Sequence, residues 1–375
     1  MKIVLCDNRL GGLLGFRREV ILHLVEQGYQ VTLVAPRATT NWDMVGKPLP
    51  CVRIVNVPMS PSGLNPFTDL RTYLAYRRIF REIKPDIVFT YTIKPNIYAG
   101  LAAKSLNIKC VSMFAGLGYI FEGDNFLRRQ IIRFYKWGVS GSKYVLVLNQ
   151  MIHDQLLAKK IVNEERIILL SGGEGINLDE FPYSETNYTS GIRFVLLARV
   201  LYDKGYTEFV QAAKVIHRQF KNTYFEILGP LAYDSPMGVE DAVFEADRTA
   251  GYFRYLGVTN AVQEFLSSPN VVLVLPSYHE GMSRSLMEGL AVGRPIITTD
   301  IPGCRETVEE GKNGYLVPKA DTSKLIAAIK RFIALPEKEK ERMASYSRHI
   351  AETKFDVQNV IQVYDQIIEK LKTLC

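Results

Sequence analysis

Residues Val272 to Val317 read VLVLPSYHEGMSRSLMEGLAVGRPIITTDIPGCRETVEEGKNGYLV. An apolar run, Val271 to Leu275, ends in Pro276-Ser277, and Glu280 and Gly281 follow at the end of that expected strand. A helical spacing begins near Ser283 and puts Leu286, Met287, Leu290 and Ala291 on one side. A second apolar run, Pro295 to Thr299, supplies the next strand. Strand, tight loop, helix and strand make a βαβ unit. In open α/β sheets ligands sit at the carboxyl ends of the strands, where helix N-termini point. Glu280 occupies such an end, and Glu288 lies eight residues on, about two helical turns. Acidity alone does not make the two a metal pair.

The same alternation runs through the rest of the chain. Expected strands are Lys2–Cys6, Gln30–Ala35, Arg53–Val57, Asp86–Thr90, Cys110–Phe114, Tyr144–Leu148 and Ile167–Leu170, with a helix over Thr68–Ile83. Residues 171–183, SGGEGINLDEFPY, are polar and glycine-rich and read as a linker. Beyond them the pattern restarts with strand Arg193–Leu197, a helix from Thr207 and strand Tyr224–Leu228. A restart near half length predicts two α/β units, 1–182 and 183–354. A final helix is expected within 355–375.

Length agrees, because 375 residues exceed one ordinary core. Apolar residues make up 47% and charged residues 23%, an ordinary soluble balance. No stretch reaches the roughly 18 apolar residues that span a bilayer, and MKIVLCDNRLGG lacks the pattern of a secretory signal. The five cysteines, at 6, 51, 110, 304 and 375, form no disulfide or zinc spacing, which suits the cytoplasm. The net charge of +7 suits phosphorylated substrates or an anionic membrane surface. No nucleic-acid-binding signature accompanies it.

Two stretches of the first half carry possible chemistry. LGGLLG, with Gly11, Gly12 and Gly15, reads as a glycine-rich turn between the first strand and a helix running to Glu26. Such a turn can approach a phosphate or simply allow close packing. It is not a dinucleotide fingerprint, because Pro36-Arg37 stand where the second strand would end in an acid. NFLRRQIIRFYKW, Asn125 to Trp137, wraps into a helix with Phe126, Leu127, Ile131, Phe134 and Tyr135 on one face. Arg128, Arg129, Arg133 and Lys136 lie on the other, with Ile132 out of place. That pattern suits a helix lying on an anionic membrane, and equally one that covers a sheet.

The spacing of Glu280 and Glu288, with GRPIITTDIPGCRETV and NGYLVP in register, resembles retaining glycosyltransferase family 4. TIKPNIYAG and GLGYIF resemble a subgroup that builds bacterial surface polysaccharides and glycans on lipid carriers. The resemblance implies the GT-B fold, two Rossmann-like domains facing across a cleft, with the final helix, 355–375, packing back on the first. It also implies transfer of a hexose or N-acetylhexosamine from a UDP-sugar to a polyprenyl-diphosphate-linked sugar acceptor at the inner face of the cytoplasmic membrane. In LLARVLYDKGY, Arg199 and Lys204 match the residues that contact the diphosphate in relatives. Glu280 matches the first motif glutamate, near the donor sugar, and Glu288 the second, on the ribose hydroxyls. Backbone N–H groups of Gly281, Met282, Ser283, Arg284 and Ser285 are expected on the donor, and the Arg284 side chain can add an anion contact. Gly11, Gly12 and Lys94 are expected on the acceptor or phosphate side, although relatives often carry His near Lys94. No Asp-x-Asp stands at a strand end, so no cofactor and no metal is expected; Glu245 and Asp247 read as a solvated helix face. The rival readings are a GT-B nucleotide-sugar epimerase, a non-catalytic nucleotide-sugar-binding or membrane-docking protein, and a dehydrogenase, the last disfavoured by the missing acid.

Overall fold

The computed structural model describes residues 1–36, 49, 51–60, 65–116, 126–233 and 235–373, with side chains after residue 125 described from Arg129 onward. It divides into two compact units, Met1–Glu174 with Val357–Cys375, and Gly175–Asp356.

The first unit runs β1 (Lys2–Cys6), α1 (Leu10–Phe16), α2 (Arg18–Glu26), β2 (Gln30–Ala35), β3 (Arg53–Asn56), α3 (Pro66–Ile83) and β4 (Ile87–Tyr91). It continues with α4 (Ile93–Ser105), β5 (Lys109–Phe114), α5 (Phe126–Gly138), β6 (Ser142–Val147), α6 (Gln150–Ala158) and β7 (Ile167–Leu169). The strands form a seven-stranded parallel sheet in the order β3-β2-β1-β4-β5-β6-β7. A parallel sheet covered on both faces needs apolar residues at successive positions, and all five residues of β4 are buried. Val88 joins the cluster under α3 and α4, while Phe89 beside it stacks on Tyr364 of the terminal helix, Val357–Thr373, at 5.0 Å. The terminal helix also packs on α2, where His23 Nε2 meets Asp365 Oδ1 at 2.9 Å.

Two of the expected local structures differ. Gly11, Gly12 and Gly15 lie inside α1, not in a turn. A Cβ at Gly12 would stand 3.0 Å from Asp7 Oδ2, so this glycine admits a carboxylate, while nothing lies within 4 Å of the same position at Gly11. On α5 the buried side is Ile131, Ile132 and Tyr135, continued by Val139. Phe134, expected there, is 51% exposed, and Trp137 is 57% exposed. Successive helical residues advance 100°, so packing Tyr135 inward carries 131, 132 and 139 with it and turns 133, 134, 136 and 137 outward. The side chains of Phe126, Leu127 and Arg128, with Asn125 and most of GLGYIF, lie outside the described residues.

The second unit runs β8 (Ile192–Leu197), α7 (Tyr206–Gln219), β9 (Thr223–Leu228), α8 (Asp241–Thr249), β10 (Arg254–Tyr255), α9 (Val262–Leu266) and β11 (Val271–Leu275). Then come α10 (Arg284–Ala291), β12 (Ile296–Thr299), β13 (Gly314–Val317), α11 (Thr322–Ile333) and α12 (Glu337–Ile350). Its six parallel strands follow the order β10-β9-β8-β11-β12-β13. The unit starts at Gly175 rather than 183. Two apolar residues of the expected linker explain the difference: Ile176 and Phe181 are buried in the second core, and the Ile176 N–H donates to the Phe355 carbonyl at 2.8 Å. Arg294, of the GRP in the motif, is fully buried and donates to the carbonyls of Leu266 and Ser184 at 2.8 and 2.7 Å, a structural rather than a chemical use.

The contact between α4 and α5 has little room. A Cβ at Gly138 would stand 2.6 Å from Ile97 Cα and 2.9 Å from Asn96 O, both backbone atoms that cannot swing away. Gly138→Ala should therefore cost about 1–3 kcal/mol by overpacking. Calorimetry should show the apparent Tm of the first unit falling by several degrees; an unchanged Tm would mean that the helices separate freely here.

Candidate active site

The carboxyl ends of β8 and β11 in the second unit bring three expected residues to neighbouring loops. Arg199 follows β8 and is exposed; among the described residues it has no hydrogen-bonding or ionic partner. Lys204 ends the short 3-10 turn Tyr202–Lys204, and Glu280 lies in the loop after β11. Lys204 Nζ donates to Glu280 Oε1 at 2.6 Å and to the His279 carbonyl at 3.3 Å. Both side chains are only about one-seventh exposed, 15% and 14%. In such a half-dry place opposite charges attract more strongly than in water.

Several residues that sequence reading did not single out hold these loops together. The Tyr278 N–H donates to the Asp203 carbonyl at 2.8 Å, and Ser277 Oγ to the same oxygen at 3.2 Å. The Tyr278 hydroxyl donates to Glu208 Oε1 at 2.6 Å. Gly205 sits at φ +77°, and a Cβ there would lie 2.2 Å from Pro276 O. Gly303, at φ +85°, is covered by Glu280, whose Cβ would stand 2.8 Å from an added Cβ. Both glycines supply a positive φ and a close approach together. Pro302-Gly303 was the available signal in the sequence, because that dipeptide marks a turn.

Glu288 lies on α10, about one turn from its start. Arg284 Nε donates to Glu288 Oε1 at 2.9 Å, an i,i+4 pair. Burial pushes the Glu288 carboxyl up, and the Arg284 guanidinium pulls it back. The expected amide donors divide. The Ser283 N–H is spent on the Gly303 carbonyl at 3.0 Å, and the Met282 side chain packs on the core. Arg284 and Ser285 open the first turn of α10, where N–H groups have no intrahelical acceptor. Ser283 Oγ and Ser285 Oγ lie 3.4 Å apart. Among the described residues no three His, Cys, Asp or Glu are placed to hold a metal ion. Glu245 pairs with Arg248, and Asp247, expected to be merely solvated, accepts from Lys214 at 2.9 Å and Tyr206 at 3.1 Å.

The first unit's strand ends are built around a buried cation. Arg17 donates to Glu174 at 2.5 Å and to the Gly12 carbonyl at 3.0 Å, lies 3.2 Å from Asp7, and stacks 4.3 Å from the Tyr91 ring centre. The Tyr91 and Tyr364 hydroxyls share a hydrogen bond of 2.9 Å. Gly12 belongs to this cluster through Asp7. Lys94 stands in the first turn of α4, but its ammonium is buried against Asp69 at 3.1 Å, so it binds α4 to α3 rather than standing open.

Comparison with known proteins accounts for both units. The model of glycosyl transferases group 1 matches residues 179–350, and that of glycosyltransferase family 4 matches residues 11–173. The chain belongs to glycosyltransferase family 4. It is 24% identical to the N,N'-diacetylbacillosaminyl-diphospho-undecaprenol alpha-1,3-N-acetylgalactosaminyltransferase of Campylobacter jejuni, over 99% of this chain and 100% of that one. It is 22% identical to the UDP-Gal:alpha-D-GlcNAc-diphosphoundecaprenol alpha-1,3-galactosyltransferase of Escherichia coli, over 75% and 74% of the two chains. Its fold matches a sucrose-phosphate synthase from Thermosynechococcus elongatus with a TM-score of 0.80 at 17% identity, covering both chains fully. Anabaena HepE in complex with UDP-glucose matches with a TM-score of 0.77 at 16% identity, again over both full chains. The fold is GT-B, with two Rossmann-like domains, and the chain is a glycosyltransferase.

The first-unit cluster of this glycosyltransferase sets two carboxylates against one guanidinium. Burial pushes the Asp7 carboxyl from the ordinary 3.8 up to about 6, against the pull of the Arg17 guanidinium. A raised acid contributes stability that is whole below its unfolded value and is lost as pH rises through the folded one. Wild type should therefore lose up to about 3 kcal/mol relative to Asp7→Asn between pH 4 and 7. Urea midpoints across that range test this; parallel profiles for the two proteins would show that Asp7 does not titrate there.

Proposed function

We propose that this glycosyltransferase moves a hexose or N-acetylhexosamine from a UDP-sugar to a sugar carried on a polyprenyl diphosphate, in the assembly of a bacterial surface polysaccharide or glycan. Retention at the anomeric carbon and independence of metal ions belong to the same reading. The observation that carries it is the Lys204–Glu280 bond at the strand ends, beside Arg199, which has no partner among the described residues, in the neighbouring loop. Two relatives support the choice of acceptor and one the donor, since their names specify diphospho-undecaprenol sugars and UDP-Gal.

As the bond from C1 to the diphosphate oxygen breaks, negative charge grows on the leaving UDP. Fixed cations stabilise that charge more than the ground state, which is what raises turnover. Arg199 and Lys204 fill this role. An ammonium has three donors, so Lys204 can keep Glu280 and still reach a phosphate oxygen. Glu280 orients the donor sugar. Glu288, paired with Arg284, accepts from the two ribose hydroxyls, and the first-turn amides of α10 face the donor. The acceptor hydroxyl forms the new bond to C1 on the leaving-group face, its proton passes to a phosphate oxygen, and UDP departs.

Charge-assisted bonds contribute roughly 1.5–3 kcal/mol each. Lys204→Ala should thus lower kcat/KM on the order of tenfold to a hundredfold, with a larger loss in the Arg199→Ala, Lys204→Ala double variant. Glu288→Ala should weaken UDP binding by calorimetry, whereas Glu280→Ala should mainly lower kcat. Activity should survive EDTA. Full activity in the double variant removes the diphosphate assignment, and loss in EDTA reversed by manganese removes metal independence.

The lipid-linked acceptor requires work at a membrane surface. Among the described residues no helix is long and apolar enough to cross a membrane. The outer face of α5 provides peripheral contact, with Phe134 and Trp137 exposed among Arg129, Arg133 and Lys136. Each basic residue near an anionic leaflet contributes about 1 kcal/mol. Arg129→Gln with Arg133→Gln should then weaken sedimentation with phosphatidylglycerol vesicles roughly thirtyfold. Wild type that stays in the supernatant at low salt would confine α5 to covering the sheet.

A further inference from the structure

The far end of α5 carries a second feature. Strand amino ends, not carboxyl ends, lie here: Ser140 and Gly141 precede β6, and Glu164–Arg166 precede β7. A groove of about 580 Å³ opens between these turns and the ends of α5 and α6. Three cations from three separate elements line it, Lys136, Lys160 and Arg166, against one acid, Glu164. Arg166 Nη1 is fixed by the carbonyls of Ser142 at 3.0 Å and Ser140 at 3.3 Å. Neither the Lys136 nor the Lys160 ammonium has a hydrogen-bonding or ionic partner among the described residues. Lys160 sits at φ +52°, a conformation that glycine adopts more readily, so a cation stands where the backbone would favour none. The remaining wall is apolar, from Leu157, Ile161 and Val162.

Two uncompensated ammonium groups beside a fixed guanidinium attract a compact anion. The apolar wall, and the exposed Trp137 next to Lys136, favour an anion that carries hydrocarbon. We propose that this groove binds the phosphodiester headgroup of an anionic phospholipid. The proposal rests on the α5 docking reading for the source of its ligand. It adds a specific anchor at one end of a helix of 13 residues, about 20 Å long, whose other end lies at the carboxyl ends of the strands. A surface contact along α5 and a headgroup held at its far end together keep the helix flat on the bilayer.

Dihexanoyl phosphatidylglycerol below its micelle concentration separates the groove from the surface. Titrated into the full-length protein and followed by calorimetry, it should bind wild type and lose at least tenfold in affinity in Lys136→Gln, Lys160→Gln. The Arg129→Gln, Arg133→Gln variant should bind it as wild type does while losing vesicles. UDP binding and thermal melting should be unchanged in both. Absence of binding to wild type, or equal loss in the two double variants, would overturn the groove. Inorganic phosphate binding as tightly as the short-chain lipid would make it a free-phosphate site and overturn the lipid assignment. Short-chain lipid bound by a wild type that ignores vesicles would support the groove and sink only the docking reading.

Discussion

A lysine ammonium bonded to a glutamate carboxylate at 2.6 Å joins two loops that the chain separates by 76 residues. Much of the second unit's strand-end geometry depends on that bond. One partner follows β8 and the other follows β11, so the bond forms only when these adjacent parallel strands are in register, Val271 opposite Arg193. The Tyr278–Asp203 backbone bond then fixes the two loops at the same height. Gly205 and Gly303 clear the space, each where a side chain would strike backbone or Glu280. A largely desolvated charge without its partner is costly, so Lys204 and Glu280 each hold the other in place at the strand ends.

The first unit solves a related problem in another way. Its sheet order reverses beside β1, which opens a crevice at the strand ends. There Arg17 collects Asp7, Glu174, the Gly12 carbonyl and the face of Tyr91. Tyr91 in turn meets Tyr364 on the returning terminal helix. One guanidinium thus holds together β1, α1, β4 and the last residue before the chain leaves the unit. The two terminal nitrogens of Arg17 supply the contacts of this junction. Lys94 and Asp69 form a second, smaller junction between α4 and α3.

Most strand and helix positions were legible in the chain because a parallel sheet covered on both faces demands continuous apolar runs. The motif from Val271 to Val317 was legible for the same reason, with its glutamates at the strand end and along the helix. Three features were not. Gly11 and Gly12 look like a phosphate turn, yet Leu10, Leu13 and Leu14 bury themselves and pull the segment into α1. Phe134 looks like part of the sheet-facing side of α5, yet the burial of Tyr135 rotates it outward. Ile176 and Phe181 are two apolar residues in a polar stretch, too few to show a periodicity, and they move the unit boundary. In each case a few side chains bury themselves against elements outside their own segment.

The sequence by itself determined the class of fold, the two α/β halves, the family and the residue types of the motif from Val271 to Val317. Local hydrophobic period and a long motif in register carry that information without any knowledge of distant contacts. Only the tertiary structure decided that Lys204 is bonded to Glu280, that Arg284 is bonded to Glu288, and that Lys94 is buried against Asp69. It also decided that Arg17, unmarked in the sequence, organises the first unit's strand ends, and that Lys136, Lys160 and Arg166 share one groove. Charges choose partners by distance and desolvation, and both are set only once the strands have aligned.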